Sequence, residues 1–171
     1  MKIIKTFIKD LLVIEGKIHK DSRGYFREVL LEKFLKKKFI FNVVSKSKKN
    51  VIRGLHYQMK KPQGKFISVM KGKIIDVAVD LRKNSKTYGK HFSIEISQKS
   101  NFSLYIPEKF AHGFLCLSNE CAVYYKCTNY RDKNSETTIK WDDKNLNIQW
   151  PIKKPLLSKK DKVGIRFLDF K

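Results

Sequence analysis

The sequence predicts an all-β domain, a sandwich or barrel with few helices. Three observations point there. Short β-rich runs recur through the middle of the chain, turn-forming residues separate them, and the clearest helix candidate is one short stretch. Residues 66–70 and 74–81 are two such runs, with Gly72 between Lys71 and Lys73 supplying the turn. In the second run, alternation puts Asp76 and Asp80 on the face of Ile74 and Ala78, opposite Ile75, Val77, Val79 and Leu81. Residues 92–96 alternate, as does much of 102–106, which Pro107 ends. Residues 113–117 and 122–128 read as a further strand pair, joined around Ser118, Asn119 and Glu120. The helix candidate is 28–37, where Val29, Leu30, Phe34 and Leu35 fall near helical spacing. From Pro151 the chain is basic and loop-like and is expected to close over one end of the barrel. No repeat or linker interrupts it, so 1–171 reads as a single domain.

Composition narrows the function classes. The 171 residues are 42% hydrophobic and include 12 Phe, which excludes a wholly disordered chain and suits a well-filled core. No apolar run approaches the ~20 residues that span a bilayer. Charge at Lys5, Lys9 and Asp10 breaks the N-terminus, which has no signal-peptide pattern, so a cytoplasmic protein with no membrane partner is expected. The formal net charge is +22, yet only six of the 38 basic residues are Arg. Base-edge and phosphate recognition favour the planar Arg fork. The lysine clusters at 36–38, 48–49, 60–61 and 159–160 read as solvated surface, so no nucleic-acid partner is expected. The same field would favour an anionic small molecule. Cys116, Cys121 and Cys127 form no CxxC pair, and their odd number argues against a disulfide framework. Two of them lie in apolar strand-like sequence and read as core thiols. His19, His56, His91 and His112 form no HxH or HxxxH pair, so no metal site is expected. No P-loop, dinucleotide fingerprint or GxSxG elbow is present.

Several residues are candidates for chemistry. Arg53 and His56 lie three apart in Arg53-Gly54-Leu55-His56, and Lys65 follows Pro62-Gln63-Gly64. An ideal strand would put Arg53 and His56 on opposite faces, so Gly54 is a candidate bulge that re-aims one of them. Adjacent Tyr124 and Tyr125 must face opposite ways, so one of them can enter a barrel interior. By spacing alone, His56 suits catalysis and a satisfied core position equally, and lone tyrosines are more often structural.

The sequence resembles the dTDP-4-dehydrorhamnose 3,5-epimerase family of cupin-like nucleotide-sugar epimerases. The resemblance runs in order through residues 21–28, 51–58, 62–65, 76–82, 85–89, 106–114, 125–130, 139–143, 148–151 and 157–161. It implies a jelly-roll homodimer whose N-terminal segment contributes to the partner's site, with no metal, no nicotinamide and no other cofactor. Its chemistry starts from a 4-keto sugar, whose carbonyl acidifies the hydrogens on C3 and C5. Epimerisation then needs a base, an acid on the other face and a cation or donor at the enolate oxygen. By resemblance His56 is the base, Asp161 the carboxylate that orients it, Tyr125 the acid and Lys65 the cation at the enolate. Arg23, Glu28, Arg53, His112, Tyr130 and Glu136 match substrate-binding positions, Arg53 at the diphosphate and Arg23 and Glu28 across the dimer.

This chain departs from the family pattern in places. Phe41 and Val43 stand where many members carry amides, Asn50 replaces a common glycine, and Arg131 replaces a common second tyrosine. The expected activity is 3,5-epimerisation of dTDP-4-keto-6-deoxyglucose, which feeds dTDP-rhamnose synthesis and polysaccharide assembly. Alternatives are epimerisation at C3 or C5 alone, or action on another nucleotide 4-keto sugar. A basic binding protein on a β-sandwich scaffold is the non-enzymatic alternative.

Overall fold

Alternation in the β-rich runs becomes strands in the computed structural model, which describes residues 1–170. The chain runs through β1 (Lys2–Lys5), β2 (Leu12–Glu15), β3 (Ile18–Asp21), β4 (Gly24–Arg27), β5 (Phe41–Lys48), β6 (Ile52–Gln58) and β7 (Lys65–Lys71). It continues through β8 (Lys73–Asp80), β9 (His91–Ser97), β10 (Phe102–Ile106), β11 (Phe110–Cys116), β12 (Glu120–Cys127) and β13 (Glu136–Thr138). A short helix, α1 (Lys159–Lys162), lies near the C-terminus. One sheet has the order β1-β2-β10-β7-β12-β5, the other β13-β6-β11-β8-β9, and β3 and β4 form a separate hairpin.

The sheets face each other across a core in which Ile67, Val69, Leu104 and Val123 meet Ile74, Ala78, Ile96 and Phe114. The two faces of β8 separate as its alternation predicts. Ile74 and Ala78 look between the sheets, while Val77 and Val79 look outward. That outer face is covered by Leu146, Trp150 and Phe170, which spares the sheet an exposed apolar surface. The segment after Pro151 therefore lies along the outer face of this sheet, and residues 156–158, 160 and 161 reach the end of the sandwich.

Two local expectations change. The runs now in β11 and β12 are not a hydrogen-bonded pair: β11 lies between β6 and β8, and β12 between β5 and β7. The short turn passes the chain from one sheet to the other, as does Gly72 (φ +76) between β7 and β8. A polar turn between two alternating runs looks the same in both cases. The helix expected over 28–37 is a single 3-10 turn, Glu32–Phe34. Leu31 at its start supplies no side-chain cap, and Lys36 takes a left-handed φ of +49, so no longer helix propagates. Val29, Leu30, Leu35 and Phe39 instead lie on Ile14, Phe66 and Tyr105, on the outer face of the six-stranded sheet. All three cysteines are buried and unbridged. No helix among the described residues is long and apolar enough to cross a membrane.

Candidate active site

A cavity of about 650 Å³ opens between the sheets at one end, lined from β5, β6, β7, β11 and β12 and from the C-terminal segment. Arg53 and His56 both line it. The bulge expected at Gly54 makes this possible. His56 pairs with His112 and Arg53 with Phe114, so β6 carries one residue more than β11 across this interval. Gly54 has φ +129, and a Cβ there would stand 2.5 Å from the Gly113 Cα, so only glycine fits. Asn50, in the place of the common glycine, also takes a positive φ, +67, which Asn tolerates better than most residues.

His56 Nε2 lies 2.6 Å from Asp161 Oδ1. Asp161 is 3% exposed and sits in α1, whose N-cap is Ser158. The Ser158 hydroxyl accepts from the Asp161 amide (3.1 Å) and donates to Oδ2 (2.8 Å). Burial alone would raise the Asp161 carboxyl, but the bonds from His56 and Ser158, with Lys160 nearby, hold it below the ordinary range. A charged Asp161 requires Nε2–H to donate, which leaves Nδ1 as the free lone pair of His56.

Tyr125 comes from β12, in the sheet facing His56, and its neighbour Tyr124 points the other way, to Asn42. Burial pushes the Tyr125 phenol up, so it stays protonated, and it lies 3.1 Å from Ser45 Oγ. The Lys65 ammonium makes no ion pair or hydrogen bond with a described residue. Desolvation lowers its pKa against the opposing influence of Cys127, Glu136 and Asp76. His112, across from His56 on β11, holds both oxygens of Asp76 through Nε2 at 3.0 and 2.9 Å. The cavity therefore joins a carboxylate-oriented imidazole, a neutral phenol from the opposite side and a half-buried ammonium without an ion-pair partner among the described residues. That set suits removing a proton from carbon, returning one on the other face and holding an oxyanion between.

Of the expected binding residues, Arg53, His112 and Glu136 line the cavity. Arg53 is aimed by Ser47 Oγ (2.8 Å) and the Lys46 carbonyl (2.9 Å). Tyr130 stands exposed, its ring 6.0 Å from that of Phe41, which does line the cavity. Arg23 and Glu28 do not line it. Arg23, at the β3–β4 turn, has an 88% exposed side chain paired with Asp21. Of the departures from the family pattern, Phe41, Val43 and Arg131 line the cavity and Asn50 does not. Three other residues, Lys160, Asp76 and Ser158, belong to the arrangement although sequence reasoning assigned them no role. Lys160 and Arg131 share Glu136 Oε2, each at 2.7 Å. Asp76 is an inward-facing charge in an apolar strand, a signal readable from alternation. Ser158 starts an S-x-x-D pattern, a cap signature.

The profile of the family described as dTDP-4-dehydrorhamnose 3,5-epimerase matches residues 5–169. The chain belongs to this family. It is 44% identical over 176 residues to the dTDP-4-dehydrorhamnose 3,5-epimerase of Shigella flexneri, covering 99% of this chain and 97% of that one. It matches the dTDP-6-deoxy-D-glucose-3,5-epimerase of Legionella pneumophila, solved with dTDP-4-keto-L-rhamnose, at 38% identity and TM-score 0.95. That match covers 99% of this chain and 94% of the other. It also matches a 3'-monoepimerase of Streptomyces bikiniensis, solved with dTDP-quinovose, at 27% identity and TM-score 0.88, covering 94% and 85%. The chain is thus an epimerase of the cupin-like, all-β kind.

Proposed function

We infer that this chain epimerises dTDP-4-keto-6-deoxyglucose at C3 and C5, the step that supplies dTDP-rhamnose synthesis. The observation that carries the reading is one cavity holding the His56–Asp161 pair from one side and Tyr125 from the other, with Lys65 unpaired beside them. His56 Nδ1 removes the proton α to the ketone. Lys65 holds the enolate oxygen. Tyr125 returns a proton to the opposite face. Arg53, with its fork aimed at the cavity, takes the diphosphate, and His112, Tyr130 and Glu136 contact the sugar or nucleotide.

The chain works as a homodimer in the cytoplasm. Arg23 and Glu28 lie outside this chain's own cavity, and the β3–β4 hairpin leaves Tyr25 (58%) and Phe26 (67%) exposed. This supports a dimer in which the hairpin reaches the partner's site. Mixing inactive Arg23→Ala and His56→Ala proteins then restores part of the activity, and failure to do so contradicts the shared site. The product enters polysaccharide assembly.

A second reading has its own support. Phe41 and Val43 replace amides in the cavity wall, and a monoepimerase shares the fold, so inversion at one carbon is the alternative outcome. The deciding experiment incubates the protein with dTDP-4-keto-6-deoxyglucose in D2O and locates the label by mass spectrometry. Enzyme-dependent deuterium at both carbons supports the 3,5-epimerase, and label at one carbon supports the monoepimerase. Absence of label, with nucleic-acid binding that falls steeply with salt, supports the basic binding protein instead.

A further inference from the structure

His56 and His112 are direct neighbours on β6 and β11, and each holds a buried carboxylate through Nε2. The two pairs differ in how the carboxylate is held. Asp161 comes from the C-terminal segment and is fixed by Ser158. Asp76 comes from β8, diagonally across from His112, whose direct partner there is Ala78. Asp76 is fully buried, His112 is 4% exposed, and the side-chain oxygens of Asp76 have no other partner among the described residues. An isolated carboxylate in such a site is costly, so its placement between the sheets needs the imidazole N–H. The charged or titratable groups around His112 are Asp76, Lys65, His56 and the Tyr125 phenol, whose ring lies 6.1 Å away. Burial lowers the His112 pKa, Asp76 opposes this, and Lys65 and His56 reinforce it, so the ring is neutral at pH 7.

His112 Nδ1 has no protein partner among the described residues, and His112 lines the cavity. We propose that Asp76 is a positioning residue that fixes His112 with its hydrogen on Nε2, so that Nδ1 accepts a hydrogen bond from a hydroxyl of the sugar. The pair is then not a second base but a reader. It selects a sugar that presents a hydroxyl beside the ketone, and rejects one that leaves the buried lone pair unmet. The tautomer stands on this geometry alone. The hydroxyl rests on the nucleotide-sugar reading of the cavity.

The test begins with 15N NMR of the uniformly labelled full-length protein, with the His112 signals assigned by comparison with His112→Gln. The expected result is a neutral ring at pH 7, protonated on Nε2 and bare on Nδ1. An imidazolium, or hydrogen on Nδ1, overturns the proposal. Kinetics come second. In Asp76→Asn no second donor fixes the amide, so its oxygen turns to accept Nε2–H and the tautomer persists. This variant keeps kcat/KM within about tenfold of the wild type, whereas Asp76→Leu loses about ten- to a hundredfold, mostly in KM. Equal losses in Asn and Leu variants overturn the proposal, because charge and not acceptance would then matter. A 3-deoxy substrate analogue, followed by exchange at C5, loses a similar factor with the wild type and little more with Asp76→Leu. An equal penalty for this analogue in both proteins also overturns it. If Asp76→Leu does not fold, the spectra of the wild type and Asp76→Asn still decide the tautomer. If the protein turns over no 4-keto sugar, the functional reading fails while the tautomer result stands separately.

Discussion

Replacing Asp161 by Asn removes one charge and almost no volume, and the surrounding bonds determine how the new amide turns. The Ser158 hydroxyl accepts from the backbone N–H of residue 161 and gives its hydrogen to the oxygen at the Oδ2 position. The Asn carbonyl retains that bond when it occupies the same position, which turns its NH2 toward His56 Nε2. Nε2 then accepts, Nδ1 carries the hydrogen, and the lone pair that serves as base is lost from the cavity. The charge-assisted bond at 2.6 Å is itself worth about 1.5–3 kcal/mol. That alone corresponds to a loss of roughly 10- to 150-fold, and the reversed tautomer adds to it, so kcat is expected to fall at least ~100-fold. The assay is the rate of solvent deuterium incorporation at C5, with circular dichroism to confirm the fold. The double variant Ser158→Ala/Asp161→Asn frees the amide to turn back and recovers about tenfold or more. An Asp161→Asn enzyme within about a factor of three of the wild type would refute the reasoning, as would a double variant no better than the single.

Three further outcomes are expected from other parts of the molecule. Lys65→Met removes the cation at the enolate while relieving a desolvated charge, so kcat drops by about 10²–10³ while the melting temperature stays level or rises; a melting temperature that falls with activity would contradict this. Gly54→Ala places a Cβ 2.5 Å from the Gly113 Cα at φ +129, and should cost about 1–3 kcal/mol or more in urea unfolding, together with activity. Asp80 is fully buried, and burial alone would raise its pKa. Bonds from Arg82, Ser85 and Thr87 outweigh this and push it down to about 2 from 3.8. The depressed pKa stabilises the fold above the unfolded value, and that contribution is lost as pH falls from about 4 to about 2. Asp80→Asn should flatten the stability profile over that window, and an unchanged slope would show that Asp80 does not produce it.

Much of the sandwich was legible because alternation states which residues share a face. The inward Ile74, Asp76 and Ala78 and the outward Val77 and Val79 come directly from it. The Gly54 bulge was legible too, since Arg53 and His56 cannot otherwise reach one cavity. The hidden features depend on partners distant in sequence. The apolar residues of 28–37 have helical spacing, yet the sheet face over Phe66 and Tyr105 takes them as an extended strap with one 3-10 turn. Strand runs 113–117 and 122–128 resemble a hairpin, and only the ladders on either side show that they belong to different sheets. Asp161 is 105 residues from His56, and no local pattern links them; the family resemblance alone brought them together. Lys160 went unassigned because a lysine in so basic a chain carries little information until its Glu136 partner is seen.

The central claim is that proton removal and proton return come from opposite sheets, by His56 on β6 and Tyr125 on β12. Its most direct test is Tyr125→Phe with 4-keto sugar in D2O, measuring exchange at C5 alongside net inversion from the same samples. Exchange is expected to persist, because His56 still removes and returns a proton on its own face, while inversion nearly vanishes. Inversion that keeps pace with exchange would contradict the claim and place the acid elsewhere in the cavity.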